Sequence, residues 1–138
     1  MITTITFPVR YAETDRMGIV HHSNYPVWFE IGRTDFLRQL GRTYLSLEEE
    51  GLLLPLSSMD CKFKRPAKYG DEVTVKTSLA NLTCVRMKFL YEVTNQEGEL
   101  LAWGSTEHGC TDWELKPFNL VKRMPQFYQI LLKNKKSP

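Results

Sequence analysis

The sequence predicts an α+β fold in which an antiparallel sheet is covered by one long helix. Three observations carry that expectation. Tyr25 to Leu40 repeats its apolar side chains Tyr25, Trp28, Phe29, Phe36, Leu37 and Leu40 at helical spacing. Four later stretches have β character and are separated by turn-forming residues. One of these alternates Val85, Met87, Phe89, Tyr91 and Val93 with Arg86, Lys88, Glu92 and Thr94, as a half-buried antiparallel strand does, with Leu90 as the exception. The 138 residues, 42% hydrophobic and 25% charged, have the size and composition of a soluble globular protein, so residues 1–138 are expected to form a single domain.

The elements follow in order. Ile2 to Arg10 is β-branched with Pro8 near its end, which predicts an edge strand. The long helix has Ser23 or Asn24 as its cap, Pro26 in the first turn and Gly41 as its stop. Gly32 lies on its apolar stripe at a cost of about 1 kcal/mol against Ala, a choice that makes sense if a sheet wraps closely against it. Thr43 to Glu50 predicts a short second helix ending at Gly51. Leu56 to Arg65, Asp71 to Leu82, Val85 to Thr94 and Glu99 to Thr111 are the four strands, the last three forming a meander. Pro125 to Leu132 is a final amphipathic turn or two before a basic, solvated tail. One helix covers one face of such a sheet, so the other face and an edge remain for a second copy of the chain.

Several function classes are set aside by composition. The net charge of +2 supplies no field to hold a polyanion, so nucleic acid is not an expected partner. Cys61, Cys84 and Cys110 fit neither a disulfide framework nor a Cys-x-x-Cys pair and are expected to be reduced. Polar Thr3, Thr4 and Thr6 interrupt any leader-like apolar run, and no stretch is long enough to span a membrane, so the expected location is the cytoplasm. His21 and His22 suggest a metal only at first sight. Neighbouring side chains diverge on a strand and by about 100° on a helix, so no metal site is expected.

The chemistry is concentrated between the first strand and the long helix, in Tyr11 to Tyr25. If Gly18 turns the chain back, Asp15 faces the unpaired N–H groups at the start of the helix. A carboxylate that attacks or activates water, opposite N–H donors that hold an oxyanion, is what acyl transfer needs, with no cofactor. The donor falls around His22. Glu13, two residues before Asp15, reads as solvated; Glu30 and Arg33 read as a surface ion pair. His108 reads as a satisfied strand histidine and Cys110 as a small buried hydrophobe. Lys62, Lys64, Arg65 and Lys68 form a local basic cluster of the kind that pairs with phosphates.

Thr14-Asp15-x-x-Gly18-x-Val20-x-His22-x-Asn24-Tyr25, followed by Phe29-Glu30-x-x-Arg33, resembles the hotdog-fold thioesterases of the 4-hydroxybenzoyl-CoA thioesterase and YbgC-like group. Lys64-x-Pro66-Ala67-x-Tyr69-Gly70-Asp71 and Thr106-x-His108 extend the resemblance over nearly the whole chain. It implies a hotdog fold, with an antiparallel sheet wrapped around one long central helix. It also implies hydrolysis of an acyl-CoA thioester at the interface of a homodimer or homotetramer. Asp15 takes the place of the catalytic carboxylate and His22 that of the backbone donor, while Gly18, Val20, Tyr25, Lys64 and Arg65 are the expected substrate-binding residues. The sequence departs from the pattern at Arg16-Met17 and His21, which bears on the acyl group accepted. A thioesterase for acyl carrier protein and a non-catalytic acyl-CoA-binding protein are the alternatives.

Overall fold

The computed structural model describes residues 1–137. Five strands, β1 (Ile2–Pro8), β2 (Leu56–Phe63), β3 (Glu72–Leu82), β4 (Arg86–Thr94) and β5 (Leu100–Gly109), form one antiparallel sheet in the order β1-β3-β4-β5-β2. β3, β4 and β5 are the expected meander, while β1 and β2 close the two edges. The helices are α1 (Tyr25–Gln39), α2 (Tyr44–Glu49), α3 (Leu120–Arg123) and α4 (Pro125–Asn134).

α1 lies against the inner face of the sheet. Its Tyr25, Trp28, Phe29, Gly32, Phe36 and Leu37 are buried, and they meet Val75, Leu79, Phe89, Tyr91 and Val93 from β3 and β4. Phe29 stacks on Tyr91 with ring centroids 4.3 Å apart, and Phe36 meets Phe89 edge to face at 5.6 Å. The glycine on the stripe is explained by this approach. A Cβ at position 32 would run into Thr77 Oγ1 and come within 2.8 Å of Val75 Cγ1, so the sheet takes the volume that any larger residue would need. This helix held in a curved antiparallel sheet is the hotdog arrangement that the motif resemblance implied.

The boundaries differ from the expectation in instructive ways. β1 stops at Pro8 because proline has no N–H for the ladder. α2 starts after Thr43, whose hydroxyl accepts the Ser46 N–H at 3.0 Å while Ser46 Oγ accepts the Thr43 N–H at 3.0 Å, a reciprocal cap. The basic tail begins later than expected, since α4 continues to Asn134 and the Lys136 N–H donates to the Leu79 carbonyl at 2.8 Å. Two 3-10 turns, Tyr11–Glu13 and His22–Asn24, and the single turn α3 have too few residues to show a period. Arg33 makes no ion pair with Glu30: its Nε donates to Tyr44 Oη at 3.0 Å and its Nη1 to Tyr91 Oη at 3.4 Å. Its place on the helix points it inward, between core and solvent.

Candidate active site

The loop before α1 is built outward from Glu13. This carboxylate is buried rather than solvated, because Oε2 accepts the Trp28 indole N–H at 2.8 Å and Oε1 accepts the Arg10 N–H at 2.7 Å. Burial alone would raise its pKa, but the Arg10 N–H, the Trp28 indole and the Arg10 guanidinium together hold it below the usual carboxylate value. The Glu13 carbonyl accepts the His21 N–H at 2.9 Å and Asn24 Nδ2 at 3.0 Å. Asn24 therefore stands at the helix start as expected, but its side chain ties the loop down and caps nothing. One buried residue thus clamps both ends of the segment that carries Asp15.

Within that clamp the chain reverses tightly. The Asp15 N–H donates to the Ile19 carbonyl at 2.9 Å, the Gly18 N–H donates to the Asp15 carbonyl at 3.0 Å, and Gly18 has φ 80°, where side chains other than glycine's are strained. Asp15 Oδ1 accepts the Met17 N–H at 2.8 Å, which fixes the orientation of the carboxylate. Thr14 bridges Val20, Ile19 bridges Lys68, and the Val20 N–H donates to the Ala67 carbonyl at 2.8 Å, so the loop is pinned to the segment that follows β2.

The helix entrance completes the arrangement. His22–Asn24 is a 3-10 turn that runs straight into α1. The Ser23 N–H donates to His21 Nδ1 at 3.2 Å and the Asn24 N–H to the His21 carbonyl at 3.1 Å. The His22 N–H heads this turn and has no acceptor among the described residues, as the first donors of a helical segment do. The two imidazoles do not diverge. His21 is extended at φ −67° and ψ 139° while His22 opens the 3-10 turn, and the change of conformation between them brings the rings together, centroids 4.1 Å apart and tilted by 32°. Among the described residues no cluster of three or more His, Cys, Asp or Glu side chains has the geometry to hold a metal ion.

A cavity of about 320 Å³ opens between this loop and the end of β2. Asp15, Val20, His22, Tyr25, Lys64 and Arg65 line it, six of the seven side chains expected from the sequence. Gly18 does not reach it and acts only through the turn. Tyr25 is buried at the back against Phe63, ring centroids 5.0 Å apart, and burial pushes its phenol up to about 12. Met17, Ile19, Phe63 and Pro66 were not anticipated as lining residues. Phe63 carried a legible signal, because the strand alternation sets it on the same face as Met59 and Cys61, towards α1. The cavity is therefore lined by one oriented carboxylate, by His22 at the helix entrance, by apolar Ile19, Val20 and Phe63, and by the exposed cations Lys64 and Arg65. Those are the parts required to bind an acyl group and to stabilise an oxyanion.

Comparison with known proteins agrees with the fold. Residues 17–102 match the model of the thioesterase superfamily. YneP of Bacillus subtilis, named provisionally as an acyl-CoA thioesterase, is 38% identical over 93% of this chain and 94% of its own. The acyl-CoA thioester hydrolase YbgC of Escherichia coli is 28% identical over 87% of this chain and 92% of its own. The crystal structure of a DHNA-CoA thioesterase from Staphylococcus aureus superposes with a TM-score of 0.91 at 34% identity, covering 96% of this chain and 89% of that one. A five-stranded antiparallel sheet folded round one long helix, in a chain with these relatives, defines a hotdog-fold thioesterase. The chain belongs to the thioesterase superfamily and is an enzyme.

Proposed function

We propose that this enzyme hydrolyses acyl-CoA thioesters to the free acid and coenzyme A, with Asp15 as the reacting carboxylate and the His22 N–H as oxyanion donor. One observation carries the reading: Asp15, oriented by the Met17 N–H, shares a cavity with His22, whose N–H is free. The thioester carbonyl sits between them, the acyl group against Val20 and Tyr25, and Lys64 and Arg65 at the mouth face the anionic end of the substrate. On a covalent route Asp15 attacks the carbonyl carbon, the C–S bond breaks, the thiolate takes a proton from water, and water then cleaves the mixed anhydride to restore the carboxylate. On a general-base route Asp15 takes a proton from the water that adds to the carbonyl carbon, the C–S bond of the adduct breaks, and the leaving thiolate takes that proton back from Asp15, releasing the acid and coenzyme A directly.

The exposed edge supports a homodimer or homotetramer. β2 is exposed nearly along its length, with Leu56 50% and Phe63 54% accessible, an unpaired apolar edge that a second copy would cover by strand pairing. Phe63 also belongs to the cavity, so pairing there makes the site interfacial. Residues 1–138 act as one domain in this reading, and no helix among the described residues is long and apolar enough to cross a membrane. The test is release of free thiol from short, medium, long and aromatic acyl-CoA esters. Turnover of one class supports the reading and names the acyl group; ligand binding with no turnover of any class overturns it. Single-turnover hydrolysis in ¹⁸O-water separates the two routes, because label in the Asp15 carboxylate requires the anhydride.

A further inference from the structure

Beside the cavity two exposed tyrosines meet edge to face. Tyr11 and Tyr69 have ring centroids 5.6 Å apart at 79°, and they are 76% and 62% exposed. Adjacent large rings left in water on a loop surface are characteristic of a recognition surface. Both rings stand on pinned backbone. Tyr11 opens the turn that Glu13 anchors on Trp28, and the Thr14 hydroxyl donates to the Tyr11 carbonyl at 2.7 Å. Tyr69 lies between Lys68, which bridges Ile19, and buried Asp71, whose carboxylate accepts the Lys68 N–H and Gln96 Nε2, each at 3.0 Å. The pair is a preformed surface.

Its surroundings say what it fits. Pro66, in the cavity wall, is three residues from Tyr69, so their Cα atoms lie within about 11 Å of each other. Exposed Lys68 adjoins Tyr69 and exposed Arg16 follows Tyr11 by five residues; neither makes a salt bridge among the described residues, although Glu99 feels the charge of Lys68, and Lys64 and Arg65 line the cavity, Arg65 paired with Glu99 at 3.1 Å. Exposed rings bordered by unpaired cations suit a heterocyclic base that carries phosphates: the base stacks on the ring, and the phosphates pair with guanidinium and ammonium groups. We infer that Tyr11 and Tyr69 form the stacking platform for the adenine of a coenzyme A thioester, with Arg16, Lys64 and Lys68 receiving its phosphates. This rests on the acyl-CoA reading above. The pantetheine arm runs from the platform past Pro66 to Asp15.

The experiment is calorimetric titration of wild type, Tyr69→Ala, Tyr69→Phe and Tyr11→Ala with coenzyme A, adenosine 3′,5′-bisphosphate and pantetheine. The expected result is a loss of about tenfold in affinity for coenzyme A and the bisphosphate in each Ala variant, with the ring-preserving Tyr69→Phe close to wild type. Affinity for pantetheine, which lacks the nucleotide, is the reference. Coenzyme A affinity that is equal in wild type and both Ala variants, or a loss that pantetheine shares, overturns the platform and leaves the two rings to a partner protein. The two readings fail separately. If wild type binds coenzyme A tightly, loses it on Tyr69→Ala and hydrolyses no ester, the hydrolysis reading falls and the platform stands. If wild type hydrolyses acyl-CoA and the Ala variants bind coenzyme A normally, the platform falls and hydrolysis stands.

Discussion

Glu13 and His108 show how single buried groups govern this molecule. Glu13 holds the Trp28 indole N–H, the Arg10 N–H and, through its carbonyl, the His21 N–H and Asn24. Glu13→Ala leaves the Trp28 donor buried without an acceptor, a cost of about 1–3 kcal/mol, and it loosens the loop that presents Asp15. Thermal melting and turnover should fall together, whereas an unchanged melt with lost turnover would contradict the clamp. His108 is held between Thr106 Oγ1 at 2.8 Å and the Leu54 carbonyl at 3.1 Å, and burial, with Arg33 nearby, pushes its pKa down to about 4. The sign follows from linkage. Below about 6.5 the unfolded chain takes up a proton that the folded chain refuses, so stability falls as pH drops from about 6.5 to 4. In His108→Asn that part of the slope should vanish from the denaturation curves. Asp15 and His22 are legible in the sequence because their spacing around Gly18 is local. The burial of Glu13 is not, because Trp28, its partner, is fifteen residues away.

At the scale of elements, long periodic segments were legible and short ones were not. Helix α1 and the β3-β4-β5 meander each bury a continuous face, which leaves a period of 3.6 or 2 in the residues themselves. The 3-10 turns at Tyr11–Glu13 and His22–Asn24 bury no such face and are imposed by tertiary hydrogen bonds. Gly32 belongs to both scales, since its lack of a side chain sets how closely helix and sheet approach. Gly32→Ala gains about 1 kcal/mol of helix propensity but forces its Cβ onto Thr77 and Val75, and overpacking of this kind typically costs about 1–3 kcal/mol. Chemical denaturation should show net destabilisation; a more stable Ala variant would mean that the sheet can move away.

For the molecule as a whole, the decisive feature is the exposed edge strand β2. Its exposed Leu56, Met59 and Phe63 form the kind of edge that folded proteins either hide or use. Light scattering should therefore return a multiple of the 16.1 kDa chain mass, and a monomer at micromolar concentration would remove the interfacial site from the account. One helix against a five-stranded sheet made an uncovered surface legible from the sequence. That β2 would be an edge was not legible, because it pairs with β5 across the whole of β3 and β4. The central claim is that the Asp15 carboxylate performs thioester hydrolysis, and it is tested most directly by thiol release from the preferred acyl-CoA with wild type and Asp15→Asn side by side. The account predicts an unchanged fold and oligomer with turnover lower by about 10²-fold or more; near-normal turnover in Asp15→Asn would contradict it.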